Sequence, residues 1–216
     1  MTGLLSLFLI AELLTTGTSL ECETCFATNR SCEGLMETCE DNQDTCAISL
    51  TETAKGGKTE PTVAKGCYSS NMCEAGLISV TFGKGEFIRQ SVICCQRDNC
   101  TSASPRLPLL NTTANGKRCP SCYSRSKACP RKMVNCTGAE NYCMDVIGHR
   151  YSEKAISLKG CTTETMCIGL QAGKWDVPDI GTDVMKIDCR LASQAPPPLS
   201  ESLLLVLSGM LLMKVL

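Results

Sequence analysis

Apolar and polar side chains alternate with a period of two through Thr45-Cys46-Ala47-Ile48-Ser49-Leu50-Thr51, and Gly56-Gly57 follows. This pattern predicts a half-buried strand running into a hairpin turn. A second hairpin is expected from Leu77 to Phe82, through the glycine turn Gly83-Lys84-Gly85, to the run from Phe87 to Cys95. Further along, Met185, Ile187 and Cys189 are expected to face inward, with Lys186 and Asp188 facing out. No helical stripe longer than the terminal segments is present, so the expected class is all-β. The scattered methionines read as core gap-fillers or strand residues.

The two termini carry a different pattern. Leu4 to Leu14 is an apolar run interrupted by Ser6 and Glu12, and the small residues Gly17, Thr18 and Ser19 follow it. That layout predicts a signal peptide over residues 1–19, with the mature chain starting at Leu20. At the other end, a polar, proline-rich spacer from Ala192 to Ser202 precedes an apolar tail from Leu203 to Leu216. Those 14 residues would span about 21 Å as a helix, against the roughly 30 Å hydrocarbon core of a bilayer. Residues 191–216 are therefore expected to act as a spacer and a signal for glycosylphosphatidylinositol (GPI) attachment near Ser193, tying the protein to a membrane by lipid.

Composition turns these strands into a particular kind of domain. The 216 residues include 18 cysteines, against one histidine and four phenylalanines. Small extracellular domains use cysteine in this way when their core is too thin to hold the fold alone. Lysine and arginine total 21 and aspartate and glutamate 22, so no strong field exists to recruit nucleic acid. Asn29, Asn99, Asn111 and Asn135 head N-glycosylation sequons. Asn99 and Asn135, each followed by a cysteine, are the poorer acceptors.

The cysteines also reveal an internal repeat. Successive gaps are 3, 7, 7, 7, 21, 6 and 21 from Cys22 to Cys94, and 3, 7, 7, 7, 18, 6 and 22 from Cys119 to Cys189. Length changes fall only in the long intervals, where hairpin tips tolerate insertions. The expected organisation is a tandem duplication, with one domain over 20–103, a solvated linker over 104–118 and a second domain over 119–190. The connectivity stays open on spacing alone, because ten cysteines can pair in hundreds of ways.

The opening Leu20-Glu21-Cys22-Glu23-Thr24-Cys25 and the closing Cys94-Cys95-Gln96-Arg97-Asp98-Asn99-Cys100 resemble the two ends of a Ly6/uPAR domain. The resemblance implies two tandem three-finger domains. It implies the pairs Cys22–Cys46, Cys25–Cys32, Cys39–Cys67, Cys73–Cys94 and Cys95–Cys100 in the first copy. In the second it implies Cys119–Cys143, Cys122–Cys129, Cys136–Cys161 and Cys167–Cys189. Two departures stand out: Thr101 replaces the usual asparagine, and the second copy stops at Cys189-Arg190 without a final bridge, so its C-terminal edge is expected to be looser. The run Gln43-Asp44-Thr45-Cys46, Lys65-Gly66-Cys67 and the segment Lys159 to Cys167 are similar to gamma-type phospholipase A2 inhibitors and their mammalian Ly6/PLAUR-domain relatives.

Chemistry has little to work with. Cys22-Glu23-Thr24-Cys25 and Cys119-Pro120-Ser121-Cys122 have the spacing of zinc knuckles and redox sites, but the disulfide logic accounts for them together with the other cysteines. His149 is the lone imidazole and is expected on a solvated loop, without the orienting partner that nucleophilic catalysis needs. The acidic pairs Glu40 with Asp41 and Asp176 with Asp179 read as solvated loop charges. No catalytic residue, metal ligand or cofactor is expected.

Function therefore falls to binding. Aromatic residues at the expected tips, Phe82, Phe87, Tyr151 and Trp175, and the linker residues Leu107 and Leu109 are the candidate partner contacts. For Phe82 and Phe87, ordinary cross-strand packing competes with that role. By resemblance the leading expectation is inhibition of a secreted phospholipase A2 by direct binding. The alternative is a GPI-anchored cell-surface receptor or adhesion protein, and a toxin-like channel ligand ranks below both.

Overall fold

The computed structural model describes residues 19–95, 100, 104–126, 129–130, 132–149, 155–173, 180 and 183–194. The segment 1–18, Asn99, Tyr151, Trp175 and the tail 195–216 lie outside the described residues. Among the described residues, six strands form the first domain: β1 (Glu21–Ala27), β2 (Leu35–Thr38), β3 (Thr45–Lys55), β4 (Lys58–Tyr68), β5 (Leu77–Gly83) and β6 (Glu86–Cys95). Six more follow: β7 (Ala114–Ser124), β8 (Lys132–Thr137), β9 (Tyr142–His149), β10 (Ile156–Thr162), β11 (Asp183–Leu191) and β12 (Ser193–Gln194). A short α-helix, α1 (Glu164–Gln171), lies between β10 and β11.

The alternation read around Ile48 becomes β3, which pairs with β4 along its whole length and turns at Gly56-Gly57. Both glycines have positive φ, 58° and 78°, which is the conformation a two-residue turn of the favoured hairpin hand requires. β5 and β6 form the second expected hairpin, with a register shift between Thr81 and Gly83. In β11 the expected alternation breaks at Met185. A bulge between Val184 and Lys186 turns Met185 out to 52% exposure and brings Val184 inward in its place, while Ile187 and Cys189 pack against the core as expected. Helix α1, only two turns long, buries Met166 and Leu170, one turn apart on one face.

Nine disulfides join the same pairs that the resemblance implies, from Cys22–Cys46 through Cys167–Cys189. No cysteine is free, which fits an oxidising compartment. Each CxxC pair divides between two bridges, so neither is a dithiol or a thiolate ligand set. Where the second domain lacks the bridge that corresponds to Cys95–Cys100, backbone pairing replaces it. Ala192 donates to the Asn141 carbonyl at 2.9 Å, and Ser193 and Gln194 pair with Arg118 and Lys117.

No disulfide crosses between the two domains, yet they share one sheet. Its order is β11-β9-β10-β5-β6-β3-β4-β1-β2, with β5 of the first domain hydrogen-bonded to β10 of the second at Thr81↔Cys161 and Val80↔Thr162. One apolar cluster spans the junction, with Ile78, Val80 and Phe82 against Val146, Leu158 and Met166. Thr162 adds a side-chain hydrogen bond to the Ser79 carbonyl at 2.7 Å. The expected linker of 104–118 ends early, because Ala114 already begins β7; it is mostly exposed, as expected, except at Pro105, which is buried. Arg89 holds it down by donating from Nη1 to the Pro108 carbonyl at 2.8 Å.

Glu140, 3% exposed, sits at the same junction. Its Oε1 accepts from the hydroxyls of Ser79 and Thr81 of the first domain, each at 2.8 Å, and its Oε2 accepts from the backbone N–H and hydroxyl of Thr137. Burial pushes this carboxyl above the ordinary glutamate range, outweighing those four hydrogen bonds, which pull it down. A raised folded value means that Glu140 supports the fold fully below the unfolded pKa, about 4.3, and that this support is lost as pH rises through the folded value. Glu140→Gln is expected to flatten that part of the stability profile, since an amide can still accept from Thr137 while Ser79 and Thr81 rotate to accept from it. Urea unfolding from pH 4 to 8 checks this, and a variant that keeps the wild-type slope would contradict it.

Candidate partner-binding surface

The sheet of the first domain has two faces with different fates. On one, Glu52 and Arg89 are paired across β3 and β6, Arg89 Nη2 donates to Glu52 Oε2, and the linker lies over them. The other face is open. Cross-strand registers put Phe26, Ala64 and Ser49 in one row and Thr62, Thr51 and Gln90 in the next. The Tyr68 and Ser49 hydroxyls meet at 3.3 Å beside them. This face forms a groove of about 560 Å³ with Lys55 and Lys58 at its finger-tip end. Lys55 also reaches the second domain, its Nζ lying 3.4 Å from the centre of the Tyr123 ring.

The apolar edge of this groove is unusually bare. Phe26 is 70% exposed and Leu35 on the edge strand β2 is 80% exposed. Leu35 pairs with Thr24, which shares the phase of Phe26 along β1, so both side chains belong to the open face. Large apolar side chains beside a hydroxyl-rich floor make an anchor-and-rim arrangement suited to a protein partner, with small residues setting shape and the aromatic supplying buried area.

The candidates named from sequence are placed differently from one another. Phe82 and Phe87 are 3% and 8% exposed, so neither presents itself as a free finger-tip contact. Phe82 packs against Tyr123, with ring centres 5.5 Å apart, and Phe87 takes the Arg89 guanidinium 5.4 Å from its ring centre. This is the packing role; for Phe82 the second domain supplies the cover, through Tyr123 and the junction cluster. Leu107 is half-buried against the first domain, while Leu109 is 98% exposed on the linker side. Leu109 and Phe26 therefore lie on opposite faces of the sheet. Asn29, Asn111 and Asn135 are exposed, and Arg30 beside Asn29 lines the groove under the linker. His149 ends β9 opposite Asp183 of β11, rather than sitting in a loop. Ser193 is exposed in β12 and its hydroxyl donates to the Arg118 carbonyl at 3.3 Å.

Strands β9, β10 and β11 of the second domain carry a charge cluster. Asp145 of β9 meets Lys159 at 3.0 Å and Lys186 at 2.8 Å. Burial works to raise its carboxyl, but the two ammonium groups hold it below the ordinary range. The Asp145 side chain is only 19% exposed, so this cluster is partly covered rather than a free surface charge.

Among the described residues, no helix is long and apolar enough to cross a membrane. The family profile described as "Phospholipase A2 inhibitor" matches residues 20–102, and that described as "u-PAR/Ly-6 domain" matches residues 115–185. The phospholipase A2 inhibitor NAI of Notechis ater is 32% identical over 183 residues, covering 82% of this chain and 90% of the relative. A gamma-type phospholipase A2 inhibitor of Gloydius brevicaudus siniticus is 34% identical over 167 residues, covering 76% and 84%. The 25 kDa phospholipase A2 inhibitor of Naja kaouthia is 30% identical over 183 residues, covering 83% and 97%. Among solved structures, that of mouse TEX101 matches at 14% identity and a TM-score of 0.33, covering 82% of this chain and 100% of that one. With relatives this similar along nearly their whole length, the chain belongs to the phospholipase A2 inhibitor family of u-PAR/Ly-6 proteins.

Proposed function

We propose that this chain inhibits a secreted phospholipase A2 by direct protein binding, using the open sheet face of its first domain. The observation that carries the reading is the pairing of an exposed Phe26 and Leu35 with a groove of about 560 Å³, in the segment that matches the inhibitor profile. Relatives named as phospholipase A2 inhibitors supply the identity of the partner. Binding would cover enzyme surface and needs no cofactor, and no reaction is assigned to the chain itself.

A truncated central aromatic typically costs an interface 2 kcal/mol or more, about 30-fold in affinity. Phe26→Ser is therefore expected to weaken capture of the target phospholipase by about 30-fold while leaving the melting temperature near wild type, since the side chain is largely in solvent. Biosensor titration of both proteins over immobilised secreted phospholipases checks this, and equal affinity for wild type and variant would remove Phe26 from the interface.

We also propose an extracellular location, with residues after Ser193 exchanged for a lipid anchor. The polar spacer and apolar tail support this, as does the exposed position of Ser193 at the edge of the second domain. Release from intact cells by phosphatidylinositol-specific phospholipase C is the expected result; protein found only in the medium would contradict it.

A further inference from the structure

A second groove lies where the β5–β6 turn, the linker and β7–β8 meet, with an open volume of about 610 Å³. That falls within the range of small-molecule sites, roughly 300 to 1,000 Å³. Phe87, Leu110, Met133 and Val134 line it with apolar surface, and Arg118 and Lys84 contribute cations. None of its lining residues belongs to the Phe26 face.

Arg118 is the unusual member. It pairs with Asn135 across β7–β8, next to a register shift in β7 that begins at Ala114. Its Nε is buried and has no hydrogen-bond partner, and among the described residues no carboxylate forms an ion pair with its guanidinium. The acid lining the same groove is Glu86, whose Oε1 accepts from the Gly56 backbone N–H at 3.3 Å rather than from Arg118. Arg118 is half-buried overall, and with its Nε covered, the terminal nitrogens of the planar guanidinium are the donors left to meet a carboxylate.

We propose that this groove binds a fatty carboxylate, with the carboxylate on Arg118 and the alkyl chain along Leu110, Met133 and Phe87. Two cations, Arg118 and Lys84, against one acid, Glu86, leave the groove a single positive charge in excess, and the apolar walls account for a chain rather than a bare ion. Asn111 and Asn135, both sequon acceptors, also line the groove. Glycans on them would hold off a protein surface yet leave room for a single alkyl chain, which favours a small amphiphile over a macromolecule. The site goes beyond phospholipase inhibition and does not depend on it.

The test is calorimetric titration of the purified full chain with laurate below its micelle concentration, beside dodecanol and acetate. Expected are one saturable laurate site per chain, at least ~10-fold weaker binding of dodecanol, and no saturable binding of acetate. Arg118→Gln should weaken laurate at least ~10-fold. Met133→Asp, at a side chain 48% exposed and so tolerated by the fold, should weaken it similarly through repulsion and a broken apolar wall. Absence of a saturable laurate site, equal binding of dodecanol, or wild-type affinity in a folded Met133→Asp protein would each overturn the proposal.

Discussion

Replacing Gly160 with alanine is expected to lower the melting temperature by about 6 to 12 °C and to let the two domains part. Gly160 lies in β10, where that strand meets β5, and a Cβ there would stand 2.2 Å from the Thr81 carbonyl oxygen and 2.9 Å from its carbon. The obstacle is backbone held in a sheet, so it cannot yield as a flexible side chain would. Overpacking of this kind costs up to about 3 kcal/mol, and each kcal/mol moves the melting point of a chain this size by roughly 2 to 4 °C. The damage falls where the molecule has no covalent reserve, since every disulfide stays within its own domain. Scanning calorimetry and small-angle scattering check both halves: a lower midpoint with a larger radius of gyration is expected, and a wild-type midpoint with unchanged scattering would contradict it.

The second large effect is expected at Arg89, which is 7% exposed. Its guanidinium joins Glu52 on β3 to the Pro108 carbonyl and lies over the Phe87 ring. Removing one partner of a buried pair leaves the other charge unmatched, at a cost of about 3 kcal/mol or more. Arg89→Ala should therefore free the linker. Trypsin offers a direct readout because Arg106 is exposed within that segment. If opening limits cleavage, 3 kcal/mol corresponds to a cut after Arg106 about 150-fold faster than in wild type. Arg89→Lys, which keeps the charge but not the fork, should fall between the two. Cleavage at the wild-type rate in Arg89→Ala would contradict the tethering role.

The hydrophobic pattern predicts β3 and the β5–β6 hairpin. Alternation is cleanest in β5, which buries Ile78, Val80 and Phe82, whereas β3 buries every residue from Cys46 to Leu50 and β6 is announced by the glycine turn before it. Met185 broke the pattern because a bulge is a backbone event, and nothing in the residue type announces it. Helix α1 escaped because two turns give only Met166 and Leu170 as a stripe. The union of the two domains was harder still to see. It joins residues about 80 positions apart, and Ser79, Thr81 and Glu140 are polar residues that composition assigns to solvent. That same contact explains Phe82, which looks like a tip aromatic until the second domain covers it. For the open face, nothing in the residue type separates Phe26 from a core aromatic; its exposure follows from its place on β1, which only the short edge strand β2 and β4 flank. Ly6/uPAR resemblance carried the disulfide pairing, because connectivity is a property of the folded path and not of spacing.

Vesicle hydrolysis by a purified secreted phospholipase A2, measured against rising concentrations of the full chain, tests inhibition itself. Saturable, near-stoichiometric inhibition is expected, with a recoverable complex of the two proteins and with Phe26→Ser shifting the curve to higher concentration. Unchanged hydrolysis across a panel of such enzymes, with no complex recovered, would contradict it.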